Sequence, residues 1–169
     1  MNVVYGEITE ILSEGDLSLV RILAGGQSFH AILIDTPATS TYLRIGHPVR
    51  LLFKETEVMI AKQDSLQISV RNQVRCRVAK ITPGKLLCEL TLDWPVLPIH
   101  PTGITPSESG ITSSESGITP SEPGAPLRSI ITRAACEELD LKVNDPVIAL
   151  IKTNEVSLSP HDRLATSMA

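Results

Sequence analysis

Three short stretches carry residues whose types and spacing suit chemistry with a small anion. Ser69-Val70-Arg71-Asn72 stands just ahead of an alternating apolar run, Thr132 closes a second run, and Ile151-Lys152-Thr153 closes a third. Hydroxyls donate hydrogen bonds, a turn presents backbone N–H groups, and an ammonium supplies countercharge; a tetrahedral dianion needs all three. Charge and donors must come together, since desolvating an anion is otherwise uncompensated. No acidic residue lies within Ser69 to Gln73 or Thr132 to Ala135, and Glu155 stands three positions beyond Lys152. Other chemistries find no such material. The chain has no Gly-rich loop followed by Lys-Ser/Thr, no nucleophile elbow and no His-Glu-x-x-His. His30, His47, His100 and His161 share no spacing and read as surface histidines. Cys76, Cys88 and Cys136 lack metal-ligand spacing and read as small buried apolar residues in a reducing compartment. The pattern therefore describes a binding protein, not an enzyme, with no directly ligated metal and no covalent cofactor.

The elements that hold these stretches are written twice. Leu43, Pro48, Val49, Leu52, Lys54, Glu57 and Val58 recur 98 positions later as Leu141, Pro146, Val147, Leu150, Lys152, Glu155 and Val156. Asn2, Val4 and Ile11 recur 70 positions later as Asn72, Val74 and Ile81. Repetition of this kind fixes architecture before any local assignment. Residues 1–64 are expected to form one module and residues 65–169 a second, with a low-complexity insert at about 98–126 and a flexible tail from about 160. The first module shows five short runs rich in β-branched residues: Glu7 to Leu12, Leu17 to Leu23, Ser28 to Ile34, Pro48 to Phe53 and Val58 to Ala61. Gly15-Asp16, Gly25-Gly26 and Gly46-His47 punctuate them. The second repeats them at Arg75 to Ile81, Leu86 to Leu92, Leu127 to Thr132, Pro146 to Ile151 and Val156 to Leu158. One helical candidate falls between the third and fourth strands of each copy, with Thr132 placed to cap the second one. The expected fold class is all-β: two tandem OB-like five-stranded antiparallel barrels, each with one short helix.

Composition narrows the partners. Fifteen Lys and Arg against nineteen Asp and Glu leave a net charge of -4, without the basic surface that phosphate backbones require. Five aromatic residues are too few for a base-stacking platform, so nucleic acid is not an expected partner. No apolar run reaches the ~18 residues of a membrane helix, and the opening residues lack the features of a signal peptide, so a cytoplasmic setting is expected. The insert repeats Gly103-Ile104-Thr105-Pro106-Ser107-Glu108-Ser109 in near copies; a Gly and usually a Pro per unit rule out a helix. It reads as a loosely extended expansion of a surface hairpin, equivalent to Ala24 to Gln27 in the first copy.

Three ordered motifs in the second copy resemble a known family. Ser69-Val70-Arg71-Asn72-Gln73 is similar to the Ser-Ala-Arg-Asn-Gln opening of the molbindin family, the Mop or TOBE-type molybdate-binding modules. Ser129-Ile130-Ile131-Thr132 with the following Arg133 to Leu139 resembles that family's Ala-x-Ile-Thr stretch and short helix. Val147 to Val156 resembles its Val-x-Ala-x-Ile-Lys-Ala/Ser-x-x-Val ending. The resemblance implies reversible binding of molybdate, or tungstate as a near-equivalent, at interfaces between modules, for storage, homeostasis or sensing. It implies that Ser69 gives a hydroxyl, Arg71 backbone or side-chain donors, Thr132 a second hydroxyl and Lys152 the countercharge, with Thr153 beside it and Asn72 bracing the turn. A Ser that family members often carry three residues after the Thr is here Ala135.

The first copy keeps only Asn2 and Lys54 of this set, with Met1, Ile34 and Pro37 in place of Arg71, Thr132 and Ala135. Lys54 is thus a secondary candidate, and Glu55 and Asp35 beside Lys54 and Ile34 oppose an oxyanion there. Molybdate at neutral pH has four acceptor oxygens and no donor, so a site without carboxylates discriminates against partly protonated phosphate. A site needing the Ser69 turn of one module and the Lys152 end of another implies a homo-oligomer. The alternative reading is a regulatory module associated with the ATPase subunit of a molybdate importer, whose C-terminal domain Val58 to Ser65 and Ser69 to Asn72 also resemble.

Overall fold

A computed structural model describes residues 1–62, 67–94 and 125–161. The first repeat supplies β1 (Asn2–Glu14), β2 (Leu17–Ala24), β3 (Gln27–Leu33), β4 (Pro48–Phe53) and β5 (Met59–Ala61). The second supplies β6 (Asn72–Pro83), β7 (Leu87–Asp93), β8 (Leu127–Thr132), β9 (Pro146–Ile151) and β10 (Ser157–Pro160), with α1 (Arg133–Glu138) between β8 and β9. Short 3-10 turns at Glu55–Glu57 and Thr153–Glu155 precede the last strand of each repeat. The insert and the tail fall almost wholly outside the described residues.

The chain forms two five-stranded antiparallel sheets, in the orders β10-β4-β1-β2-β3 and β5-β9-β6-β7-β8. Each repeat's last strand completes the other repeat's sheet: β5 pairs with β9 and β10 with β4. β1 and β6 do double duty, pairing by their first half with β4 or β9 and by their second half with β2 or β7. A register shift between Ile8 and Glu10, repeated between Val78 and Lys80, marks the bend that allows this. The two edges of the second sheet approach each other, with Ser129 Oγ donating to the Val58 carbonyl at 2.7 Å.

Burial follows the alternation read from the sequence. In β2, Ser18, Val20, Ile22 and Ala24 point inward and their neighbours outward, which is the period of a half-buried strand. One core runs through both repeats, and Phe29 meets Trp94 across the boundary edge to face at 6.0 Å. Trp94 also lies on the Gly25-Gly26 turn. Gly25 has φ +56°, and a Cβ there would come within 2.8 Å of the indole ring, so both backbone conformation and space demand glycine.

Only the second repeat contains the helix expected in each. Thr132 caps α1, its hydroxyl accepting from the Ala135 N–H at 3.2 Å, and Arg133 to Glu138 are adequate helix formers. In the first repeat Ile34 offers no cap, and Pro37 has no N–H where Ala135 donates. The Thr39 hydroxyl instead accepts from the Thr36 N–H and donates to the Thr36 carbonyl, and residues 35–46 form successive turns without a helix.

Candidate functional site

Two equivalent junctions join the repeats, each built on a buried asparagine. Asn72 opens β6, and its amide grips the backbone of His30 in β3: the His30 N–H donates to Oδ1 at 2.7 Å and Nδ2 donates to the His30 carbonyl at 2.9 Å. Asn2 opens β1 and holds Arg128 of β8 in the same way, at 2.7 and 2.9 Å. A primary amide in this orientation extends a sheet edge as a peptide would, and neither buried side chain is left without partners.

The Asn72 junction gathers most of the residues singled out in the sequence. Asn72 lies opposite Ile151 in the β6–β9 ladder, so Arg71 and Lys152 leave the same end of adjacent strands. Gln73 Nε2 donates to the Val70 carbonyl at 3.0 Å and tightens the Ser69-to-Asn72 turn. Ser69, Arg71 and Lys152 are exposed and Thr153 is half-buried. Among the described residues neither Arg71 nor Lys152 pairs with a carboxylate. Glu155 turns elsewhere: Asn154 Nδ2 donates to its carboxylate at 3.0 Å, and it lines a recess beside Lys54.

Thr132 is set apart from this group. It pairs with Leu87, level with the Pro83 end of β6, eleven residues along that strand from Asn72. Its hydroxyl is engaged at the start of α1, and no described hydrogen bond links it to Ser69, Arg71 or Lys152. Lys54, the secondary candidate, sits in a recess of about 240 Å3 that also contains Glu57 and Glu155. The nearby amino terminus pairs with Glu55, and Arg128 donates to Glu89 at 3.0 Å, so cations at the Asn2 junction meet carboxylates.

His30 is not the surface histidine that the sequence suggests. It is half-buried at the Asn72 junction, and burial, reinforced by the charges of Arg71 and Arg21, holds its imidazole below its ordinary pKa. The identity of Asn2 and Asn72 within the repeat was the available signal, but it does not say that each asparagine reaches the opposite repeat. The cysteines offer no nucleophile. All three are buried, and burial pushes the thiol of Cys76 up to about 12 and that of Cys88 to about 11. No group of three or more His, Cys, Asp or Glu able to hold a metal ion occurs among the described residues.

Residues 121–158 match the TOBE domain family. Among solved structures the chain is similar to the cytoplasmic molybdate-binding protein ModG, in a PEG-grown crystal form with molybdate bound. The TM-score is 0.73, with 23% sequence identity over 95% of this chain and 96% of that one. At this identity the likeness establishes a shared fold. A comparison with curated proteins finds none that matches.

Proposed function

We propose that this chain binds molybdate reversibly, with tungstate as a near-equivalent, in a cytoplasmic storage, homeostasis or sensing role, without catalysing a reaction. The observation that carries this reading is the β6–β9 register, which sets the Ser69-to-Asn72 turn beside Lys152 and Thr153, with no carboxylate pairing Lys152 among the described residues. Hydroxyl, backbone N–H groups and the Lys152 ammonium meet the needs of an ion that accepts on every oxygen and donates from none. The match to the TOBE family and the fold shared with a protein crystallised with molybdate support the same ligand. On this reading each sheet, curled over its exchanged strand, is an OB-like barrel.

The group is incomplete in one chain, because Thr132 lies at the other end of β6. A second copy therefore supplies the missing hydroxyl. The outer face of the first repeat is apolar where such a copy would sit, with Leu12, Leu17, Leu19, Ile32 and Ile34 exposed. Leu12 and Leu19 also border the recess that Arg71 lines, so this face runs directly into the junction. Titration calorimetry with molybdate, alongside light scattering, tests the proposal. Saturable heat at micromolar ion and a homo-oligomer are expected. No heat in the wild-type protein would sink the ligand assignment, and a monomer that binds tightly would sink the shared site.

A further inference from the structure

One recess adjoins the Asn72 junction. Arg71, Arg21, His30, Glu10, Leu12 and Leu19 enclose about 160 Å3 between the Ser69-to-Asn72 turn and the outer face of the first repeat. Arg21 and Glu10 pair at 3.2 Å, whereas Arg71 has no carboxylate partner among the described residues. His30 Nδ1 is shielded from solvent and has no hydrogen-bond partner. With His30 neutral, two guanidiniums and one carboxylate leave the walls with one net positive charge. The recess has room for one small ion.

We propose that this recess is a second oxyanion site, distinct from the Ser69–Lys152 group, for a tetrahedral oxyanion that still carries a proton, of the hydrogen-phosphate type. The Arg71 guanidinium is the principal donor, and Arg21 adds positive potential while holding Glu10 in place. Glu10 sets the specificity. A carboxylate repels sulfate or molybdate, which have acceptors only, but accepts a hydrogen bond from an oxyanion that bears a proton. His30 faces Arg71, Arg21 and Glu10, so an anion among them offsets the two positive charges and favours proton uptake on the ring. Phosphate binding and His30 protonation are thereby coupled, each strengthening the other. The Arg71 side chain belongs to this recess, and its backbone N–H remains with the turn.

The test is a titration of isotope-labelled protein with inorganic phosphate near pH 6.5, the ordinary midpoint of histidine, following the His30 ring signals by NMR. His30→Gln identifies those signals. Phosphate is expected to move them saturably and raise their titration midpoint, Arg21→Gln to weaken phosphate binding about tenfold, and sulfate to bind at least about tenfold less tightly. Arg21 is half-exposed on its strand, so the spectrum of Arg21→Gln reports an intact fold. Phosphate that leaves the His30 signals unmoved, or sulfate that binds as well as phosphate, overturns the proposal. So does unchanged phosphate affinity in Arg21→Gln. Molybdate binding is measured on the same samples, so failure of the function proposed above registers separately.

Discussion

The Asn72 and Asn2 junctions share one backbone plan and differ in charge. Both clamp a strand of the opposite repeat through a buried amide, and both set a lysine at the end of the adjacent strand. At the Asn2 junction the amino terminus meets Glu55, Arg128 meets Glu89, and Lys54 shares its recess with Glu57 and Glu155. At the Asn72 junction Arg71 and Lys152 have no such partners among the described residues. Duplication copied the scaffold, and on the proposed function the distribution of carboxylates decides which copy attracts an anion. A surface cation already facing a carboxylate gains little from a second anion, whereas an uncompensated one contributes its full attraction.

The sharpest contrast is between the two lysines. Lys152→Ala is expected to weaken molybdate binding about a hundredfold by calorimetry, and Lys54→Ala by less than about threefold. Equal losses would erase the distinction between the junctions. Next come the two asparagines. Asn72→Ala and Asn2→Ala each strip partners from a backbone N–H and carbonyl, and each is expected to cost about 2–4 kcal/mol in urea unfolding. Only Asn72→Ala should also reduce anion affinity; a matching reduction in Asn2→Ala would move the site. Gly25→Ala follows, at about 1–3 kcal/mol, because it strains a left-handed turn and presses on Trp94. Its indole emission should shift, and an unperturbed spectrum would contradict the packing.

The smallest effect is the acid response of His30. Its folded pKa lies below its unfolded value, so the unfolded chain binds the extra proton first. The stability from the neutral ring is complete above about pH 6.5 and declines as pH falls through the depressed folded value. Melting curves between pH 7 and about pH 5 should show less acid sensitivity in His30→Gln than in the wild type. The reverse order would mean that the ring is not held neutral.

Much of this architecture was legible in the residues themselves. Strict alternation in β2, the paired Pro-Val starts of β4 and β9, and the Gly-Gly hairpin predicted strands and turns close to those found. Thr132 with Arg133 to Glu138 predicted α1, because cap and helix formers are local signals. The missing first-repeat helix shows where a repeat misleads: Ile34 and Pro37 remove cap and donor while the surrounding pattern persists. The exchange of β5 and β10 between sheets was not legible, since alternation tells a strand which face to bury but not which edge to join. Similarly, the motifs joined Ser69, Arg71, Asn72, Thr132, Lys152 and Thr153 in one site, with the Ser69 turn and the Lys152 end on different modules. The register that sets those two side by side in one repeat and separates Thr132 from them emerges only from the sheet.

Crystals grown with molybdate and measured on both sides of the molybdenum absorption edge test the central claim most directly. An anomalous peak within hydrogen-bonding distance of the Ser69 hydroxyl and the Lys152 ammonium is the expected result. A peak beside Lys54 and Asn2, or no peak at either junction, would contradict the account.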